Sequence, residues 1–569
     1  VAPHPDALVA LLCDQFAEPV GGLFESEVVA VPSRGIERWL TQRIASGLAE
    51  RGVTDGICAN VDFPSPASVV RRALEAVPEL ARSVRAWDGA GIVSHLLDVI
   101  DARLDEPWMQ VLARYLDEDR GGSPDNRLAA ATKIGTLFSK YARRRPAMIR
   151  AWAEGADVGP GGDPLSSDAL WQARLWRELR RHVGVGSLAE LLPDGLEPLR
   201  RGEADPGFPE RIAVYGLTSA DPLDLQVLAA LGELRDIFLY VLHPSPALWR
   251  SVAEIEKAPI PSRSADPTTS RVANPLLGAW GRDARELQTV LASQGLGGEV
   301  TSVSTTTATL LGHLQRDVHE NRPPSLDPAV ADRVVGGEDR SLQIHVCHGA
   351  RRQAEVVRDA ILHLLASDPT LEPRDIVIMT PDLATFAPLL EAAFPTHPAG
   401  GLPDLRLRIA DRSPAVTNPL VSFTATVLDM AGSRLEADAV RDLVHRPVVQ
   451  QRFGFDDDTA GAVVAMIDDS RVAWGIDQDH RREWGVDRAE RTWRRGLDRA
   501  LAGVFYSDDP VRTVGDLAPL DGVEGQETVP ASVLAAILDR LVAVRDLLCR
   551  RRPRSEWARV IATAVRMLG

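Results

Sequence analysis

The chain has 569 residues, of which 45% are hydrophobic and 25% charged, a globular composition that excludes disordered, collagen-like and disulfide-scaffold classes and is long enough for several domains. The net charge of −16 weakens a histone-like reading, and any nucleic-acid contact must come from local basic stripes. Only Lys133, Lys140 and Lys257 are lysines, which leaves 61 arginines among the 64 basic residues.

Residues 27–31 (EVVAV) form a β-branched run closed by Pro32-Ser33-Arg34-Gly35, after which Ile36, Trp39, Leu40 and Ile44 recur at helical spacing. This predicts strand, turn, helix. The same order returns at 211–216 (RIAVYG), a turn with Asp221-Pro222, a helix through Leu225, Leu228 and Leu231, and a strand at 237–242 (IFLYVL). Apolar, non-alternating strands joined through helices predict a parallel sheet covered on both faces. Residues 66–204 carry helical patterns with few strand signals and are expected to be a helical insertion. Gly- and Pro-bearing polar stretches at 258–274 and 321–339 mark surface excursions, the second being the best domain boundary. Beyond it, 342–347 (LQIHVC), 375–380 (DIVIMT) and 405–409 (LRLRI) are expected strands, with helices over 354–365 and 386–394 between them. These form a second α/β module. From about residue 419 helices dominate to the end, where the apolar pattern over 560–568 stops abruptly and suggests an incomplete last domain.

The four cysteines are far apart and form no Cys-x-x-Cys pair, and no apolar stretch approaches the roughly 18 residues of a membrane helix, so a reducing cytoplasm and no membrane are expected. The residues after Val1 lack the basic region of a secretory signal.

Two α/β modules with helical insertions suggest a nucleic-acid motor gripping ATP through a P-loop. Such a loop needs Gly-x-x-x-x-Gly-Lys-Ser/Thr, because backbone N–H groups cradle the phosphates while the lysine neutralises the β- and γ-phosphate charge. None of the three lysines follows a glycine, and the first strand-to-helix turn contains a proline that removes an N–H. An ATP cradle is excluded there. Nuclease chemistry would group carboxylates around Mg²⁺; the nearest candidates, 456–458 (DDD) and 468–469 (DD), read better as solvated helix ends. In a strand, His345 and Cys347 share one face while His348 lies on the other, which argues against a metal site. No catalytic residue, metal or cofactor is expected.

The strongest basic patch is 139–150 (SKYARRRPAMIR), with Lys140, Arg143, Arg144, Arg145 and Arg150 and no acid. Arginine forks suit phosphates, and Phe138 and Tyr141 offer stacking faces to unpaired bases, unless those rings point into the core. In the first helix Arg34, Arg38 and Gln42 fall at i, i+4 and i+8, away from Trp39 and Leu40, and Ser33 starts a helix whose free N–H groups favour anions or serve as an ordinary cap. The clusters 481–482, 494–495 and 550–552 are less specific in so arginine-rich a chain.

These residues resemble the RecC family, the gamma subunit of the RecBCD exodeoxyribonuclease V helicase–nuclease. The resemblance runs in family order through 32–35 (PSRG) with Trp39-Leu40, 59–68 (ANVDFPSPAS), 215–218 (YGLT), 274–281 (NPLLGAWG), 345–348 (HVCH), 368–377 (DPTLEPRDIV), 409–413 (IADRS) and 474–477 (WGID). It implies two superfamily 1 helicase-like (RecA-like) parallel-sheet modules with lost ATPase motifs and large helical insertions. The corresponding layout is 1–65 and 205–335 for domain 1A, 66–204 for domain 1B, 336–432 for domain 2A and 433–569 for an incomplete domain 2B. It further implies a non-catalytic subunit that joins a RecB-like motor/nuclease and a RecD-like helicase in a heterotrimer. Such a subunit splits duplex ends and passes single strands to partners, which use ATP and Mg themselves. In some members one channel screens the exiting strand for Chi through a surface matching 32–34, 65–71 and 136–137, which adds Ser65, Arg71, Thr136 and Leu137 to the DNA-binding candidates. Here the family's Gln-Ser-Thr-Gly becomes Pro32-Ser33-Arg34-Gly35, and a leucine and a tryptophan become Ser65 and Arg71. Charge in place of apolar contact favours backbone binding over base reading.

Overall fold

The β-branched run at 27–31 becomes strand β1 (Glu27–Ala30) because its alternate side chains find two separate apolar layers. In the computed structural model β1 lies between β2 (Val61–Asp62) and β3 (Arg211–Leu217), and β4 (Asp236–Val241) completes a sheet of order β2-β1-β3-β4, all parallel. The structure describes all residues except 19–24, 54–55, 117–123, 256–262, 299, 302–307, 325–335, 396–404, 411–417, 507–512, 522 and 524–527. Two units are present, Val1–Leu371 and Glu372–Gly569.

In the first unit, Val29, Ala213, Tyr215 and Tyr240 face helices α1 (Pro5–Phe16) and α2 (Arg34–Glu50), packing on Leu8, Leu12, Leu40 and Ile44. Their neighbours Val28, Ala30, Ile212, Val214 and Val241 face the other layer, as a period of two requires. That layer is built from α3 (Pro66–Glu75), α4 (Pro78–Ala86) and later helices, so both faces are covered as the continuous apolar strands predict. Helices α5 (Gly89–Arg103), α6 (Gln110–Leu116), α7 (Pro124–Arg144), α8 (Pro146–Ala153) and α9 (Leu170–Val183) enclose a separate core around Ile92, Leu96, Phe138, Trp152 and Trp176. The insertion returns to the sheet through α10 (Leu188–Gly195) and α11 (Glu197–Arg200), whose Leu192, Leu196 and Leu199 join the α3 layer. After β3 come α12 (Pro222–Leu231), β4, α13 (Pro246–Ala253), α14 (Pro275–Trp280), α15 (Arg282–Ser293), α16 (Leu310–His319) and α17 (Gly349–Ser367).

Buried Arg211 locks the sheet to α1. It pairs with Glu27 on the adjacent strand, donates to the carbonyls of Gln15 and Glu18 at 2.9 and 3.1 Å, and lies over the Phe16 ring.

The second sheet expected from the sequence is not among the described elements. Helix α17 and α18 (Leu383–Ala393) stand where the pattern puts them, but 342–347, 375–380 and 405–409 carry no ladder. Ile344, Val346, Val377 and Met379 stay largely exposed, Val346 at 97%. An alternating apolar pattern favours an extended backbone, whereas a strand also needs an edge in register to receive its hydrogen bonds.

The remainder of the second unit is helical: α19 (Pro419–Ala431), α20 (Ala437–Val444), α21 (Pro447–Phe453), α22 (Asp457–Asp469), α23 (Gln478–Arg482), α24 (Trp493–Phe505), α25 (Thr528–Leu548) and α26 (Trp557–Leu568). All but α23 contribute to one core around Phe423, Val463, Ile467, Trp493, Leu534 and Ile537. Trp493 Nε1 donates to the Leu435 carbonyl at 2.7 Å, satisfying the one polar atom of that buried ring. Among the described residues no helix is long and apolar enough to cross a membrane.

Candidate nucleic-acid interface

Because all four strands run the same way, the chain leaves each of them at one edge of the sheet. From the centre, β1 leads through α2 to β2 on one side, while β3 leads through α12 to β4 on the other. The carboxyl ends of β1 and β3 therefore flank a topological switch point, where open α/β sheets bind ligands.

Ser33 and Ser65 both stand at this edge as helix caps. Ser33 Oγ accepts from the Ile36 N–H at 3.4 Å, and Ser65 Oγ accepts from the Ser68 N–H at 3.1 Å. The turn after β1 cannot cradle phosphate through its backbone: Pro32 has no N–H, and the Val31 N–H is already bonded to the Pro64 carbonyl at 2.9 Å. Beside the β3 exit lies a cavity of about 430 Å³ bordered by Arg144, Arg145, Asp221, Arg263, Asp283 and Glu286. Its arginines are matched or exceeded by carboxylates, and Arg263 is bound to Glu286 at 2.6 Å. That lining does not suit a triphosphate.

Arg34, Arg38 and Gln42 lie exposed along α2, with Trp39 turned back toward Tyr215 at a ring separation of 6.4 Å. On α7, Thr136, Leu137 and Lys140 are exposed on one face, Thr136 Oγ1 donating to the Thr132 carbonyl at 2.8 Å. Arg71 is exposed in the middle of α3, whereas its neighbour Arg72 is used structurally, donating to the Pro206 and Gly207 carbonyls at 2.6 Å and stacking on Phe208. Among the described residues Arg34, Arg38, Arg71, Lys140 and Arg145 make no ion pair.

The rest of the basic patch is committed to the protein. Arg143 forks between Asp221 at 2.9 Å and Asp224 at 2.5 Å, and Arg144 reaches Asp221 at 3.1 Å, which clamps the end of α7 to the start of α12. Burial pushes the Asp224 carboxyl above the usual carboxylate range, with Arg143 pulling it back. Arg150 Nη1 donates to the Ala189 carbonyl at 3.1 Å. Phe138 is buried, and Tyr141 is half-buried edge-on to Trp152 with its hydroxyl on Gln172, so neither ring is presented for stacking. The two acidic partners lie 78 and 81 residues from Arg143, beyond any local reading.

Other sequence candidates also have structural roles. Asp456 caps α22 by accepting from the Thr459 N–H at 2.9 Å. Buried Arg481 binds the carbonyls of Trp474, Glu490 and Arg491, and Arg482 pairs with Asp487 at 2.7 Å. His345 and Cys347 lie in the unpaired segment 342–347, so the strand geometry used to separate them from His348 does not apply.

A small parallel sheet with helices on both faces is what the resemblance to the RecC family implies for the N-terminal region. A profile of the RecC N-terminal domain matches residues 2–321, and one of the fourth domain of the RecBCD enzyme subunit RecC matches 417–568. The chain belongs to the RecC family. It is similar to the RecBCD enzyme subunit RecC of Mycobacterium tuberculosis (strain CDC 1551 / Oshkosh), at 37% identity over 99% of this chain and 51% of that protein. The same subunit of Mycolicibacterium smegmatis is 36% identical over 98% of this chain and 50% of its own length. That of Escherichia coli K12 is 28% identical over 94% and 50%. The chain thus spans about half the length of the curated relatives it matches.

Proposed function

We propose that this chain acts as a non-catalytic DNA-guiding and scaffold subunit of a RecBCD-type helicase–nuclease in double-strand-break repair and homologous recombination. In this reading it works in the cytoplasm with a RecB-like motor/nuclease and a RecD-like helicase, which use the ATP and Mg, and it splits duplex ends and channels single strands to them. The observation that carries the reading is the carboxyl edge of the sheet. The place where a motor would hold nucleotide has a proline turn and an arginine–carboxylate clamp, and Arg34, Arg38, Arg71 and Lys140, on helices of the same unit, make no ion pair among the described residues.

Unpaired cations on helical faces suit the regularly spaced phosphates of a strand, and each neutralised phosphate releases counterions. Polar Ser65 and Arg71 and the absence of an exposed aromatic beside Lys140 favour backbone contact over base reading, which weighs against Chi screening by this chain. The reading retains a second helicase-like module at 336–432, supported by the strand-like alternation at 342–347 and 375–380, each followed in the sequence by a helical pattern.

Co-purification with the RecB-like subunit, followed by forked-DNA binding and ATPase assays of the chain alone, tests this. The expected result is partner capture and DNA binding with no ATP hydrolysis. DNA-stimulated ATPase or Mg²⁺-dependent cleavage abolished by a point mutation would establish an autonomous enzyme instead. Partner capture without DNA contact would make this acidic chain a partner-binding module.

A further inference from the structure

Away from the sheet edge, helices α5 and α9 bring together three side chains that the sequence keeps far apart. His95 and Asp98 are three residues apart on α5 and share a helical face. His182 stands in the last turn of α9, which ends at Gly184 in the left-handed region (φ 72°). Buried Ile92, Leu96 and Ile100 of α5 and Leu175 and Leu179 of α9 belong to one core, so packing fixes the distance between the two faces. The imidazole centroids of His95 and His182 are 5.2 Å apart with planes inclined at 64°, and His182 Nε2 lies 3.6 Å from Asp98 Oδ2. One ligand atom from each of the three residues falls within 4.8 Å of the others.

Two features separate this cluster from an ordinary surface contact. The first is the state of Asp98. Neighbouring acids are captured by arginine, Asp101 by Arg127 at 2.6 Å and Glu178 by Arg103 and Arg181, but among the described residues Asp98 has only the histidine. The second is the position of His182 at the carboxyl end of α9, where exposed carbonyls give a negative field that favours a cation.

We propose that His95, Asp98 and His182 bind a divalent cation of the zinc class and so pin α5 to α9. Two imidazoles and one carboxylate suit zinc, cobalt or nickel, whereas magnesium and calcium call for all-oxygen sets. Bond lengths of about 2.0–2.1 Å to zinc place ligand atoms roughly 3.3 Å apart in a tetrahedron. The approach required is about an ångström or somewhat more, which exposed Asp98 and His182 can supply by rotation while half-buried His95 stays in place. Water completes the fourth position. The role is structural and independent of the DNA-guiding function.

The test is calorimetric titration of the chelator-treated full chain with ZnCl₂, with MgCl₂ as the control and the visible spectrum of added Co²⁺ as a second readout. One zinc site per chain is expected, with Co²⁺ bands of four-coordinate nitrogen and oxygen ligation and no thiolate charge transfer. His182→Ala and the near-isosteric Asp98→Asn should each weaken zinc binding at least about tenfold, the scale on which even supporting residues act at metal sites. His345→Ala should leave it intact. Circular dichroism confirms that the variants are folded. Unchanged zinc affinity in folded His182→Ala and Asp98→Asn, loss confined to His345→Ala, or zinc binding no tighter than magnesium would overturn the proposal.

Discussion

Removing Arg143 tests whether the strongest basic patch in the sequence is a structural clamp or a DNA contact. Its guanidinium holds Asp221 and Asp224, whose side chains are only 21% exposed, while Arg143 itself is 40% exposed. Exposed pairs are worth about 0–1 kcal/mol, and breaking a fully buried pair costs about 3–5 kcal/mol, so this intermediate case should cost about 2 kcal/mol. Arg144 still reaches Asp221 in Arg143→Ala, leaving Asp224 as the orphan. The pH dependence follows from the direction of the Asp224 shift. Its folded pKa lies above the unfolded value of about 3.9, so its favourable contribution is complete below that value and is lost as pH rises through the folded pKa. Without Arg143 the folded pKa rises further, and the destabilisation should be larger at pH 8 than at about pH 3.5, below the unfolded value. Urea unfolding of the chain at both pH values measures this, and an Asp224→Asn background should shrink the cost by about 1 kcal/mol or more. A variant of unchanged stability that loses DNA affinity with a flatter salt dependence would refute the clamp and make Arg143 a phosphate contact.

Arg211→Met should destabilise the first unit by about 3–5 kcal/mol, because it leaves the Glu27 carboxylate without its arginine and removes a donor from the Gln15 and Glu18 carbonyls; thermal melts that match the unmodified chain would contradict this. Gly503→Ala should destabilise the second unit, since a Cβ there would collide with the Leu520 carbonyl oxygen and backbone would have to move. Limited proteolysis of that unit checks it. Burial lowers the His243 pKa from 6.5 to about 4, so the neutral ring's contribution is present above about pH 6.5 and is lost as pH falls through about 4, an effect on the order of 3 kcal/mol. Folded His243→Asn should lack that part of the acid dependence in unfolding measured from pH 7 to 4.

The sheet was legible where local signals agree with tertiary packing. β1 and β3 are apolar runs followed by Ser33 or an Asp-Pro turn and then a helical period, β4 is an apolar run that follows the second of those helices, and both layers accept them. β2 escaped notice because two residues, Val61 and Asp62, carry no periodicity, and register with β1 alone makes them a strand. The segments at 342–347 and 375–380 show the converse, an alternation that does not by itself supply an edge to pair with. At the candidate interface, the outward stripe of Arg34 and Arg38 follows from helical spacing. The division of 139–150 into Lys140 and Arg145, which make no ion pair among the described residues, and clamped Arg143 and Arg144 depends on Asp221 and Asp224, which only the fold brings near. The His95, Asp98 and His182 cluster was hidden in the same way, since an i, i+3 pair is unremarked until a second helix adds its third member.

In the proposed function, helical faces of the sheet-bearing unit hold a DNA strand by its phosphates. The salt dependence of forked-DNA affinity, measured for the chain and for Arg34→Ala/Arg38→Ala/Lys140→Ala, tests it most directly. Each phosphate contact contributes about 0.7–0.9 to the logarithmic slope, so the triple variant should be flatter by roughly 2–3 with its stability unchanged. Parallel slopes for the two proteins would contradict the account.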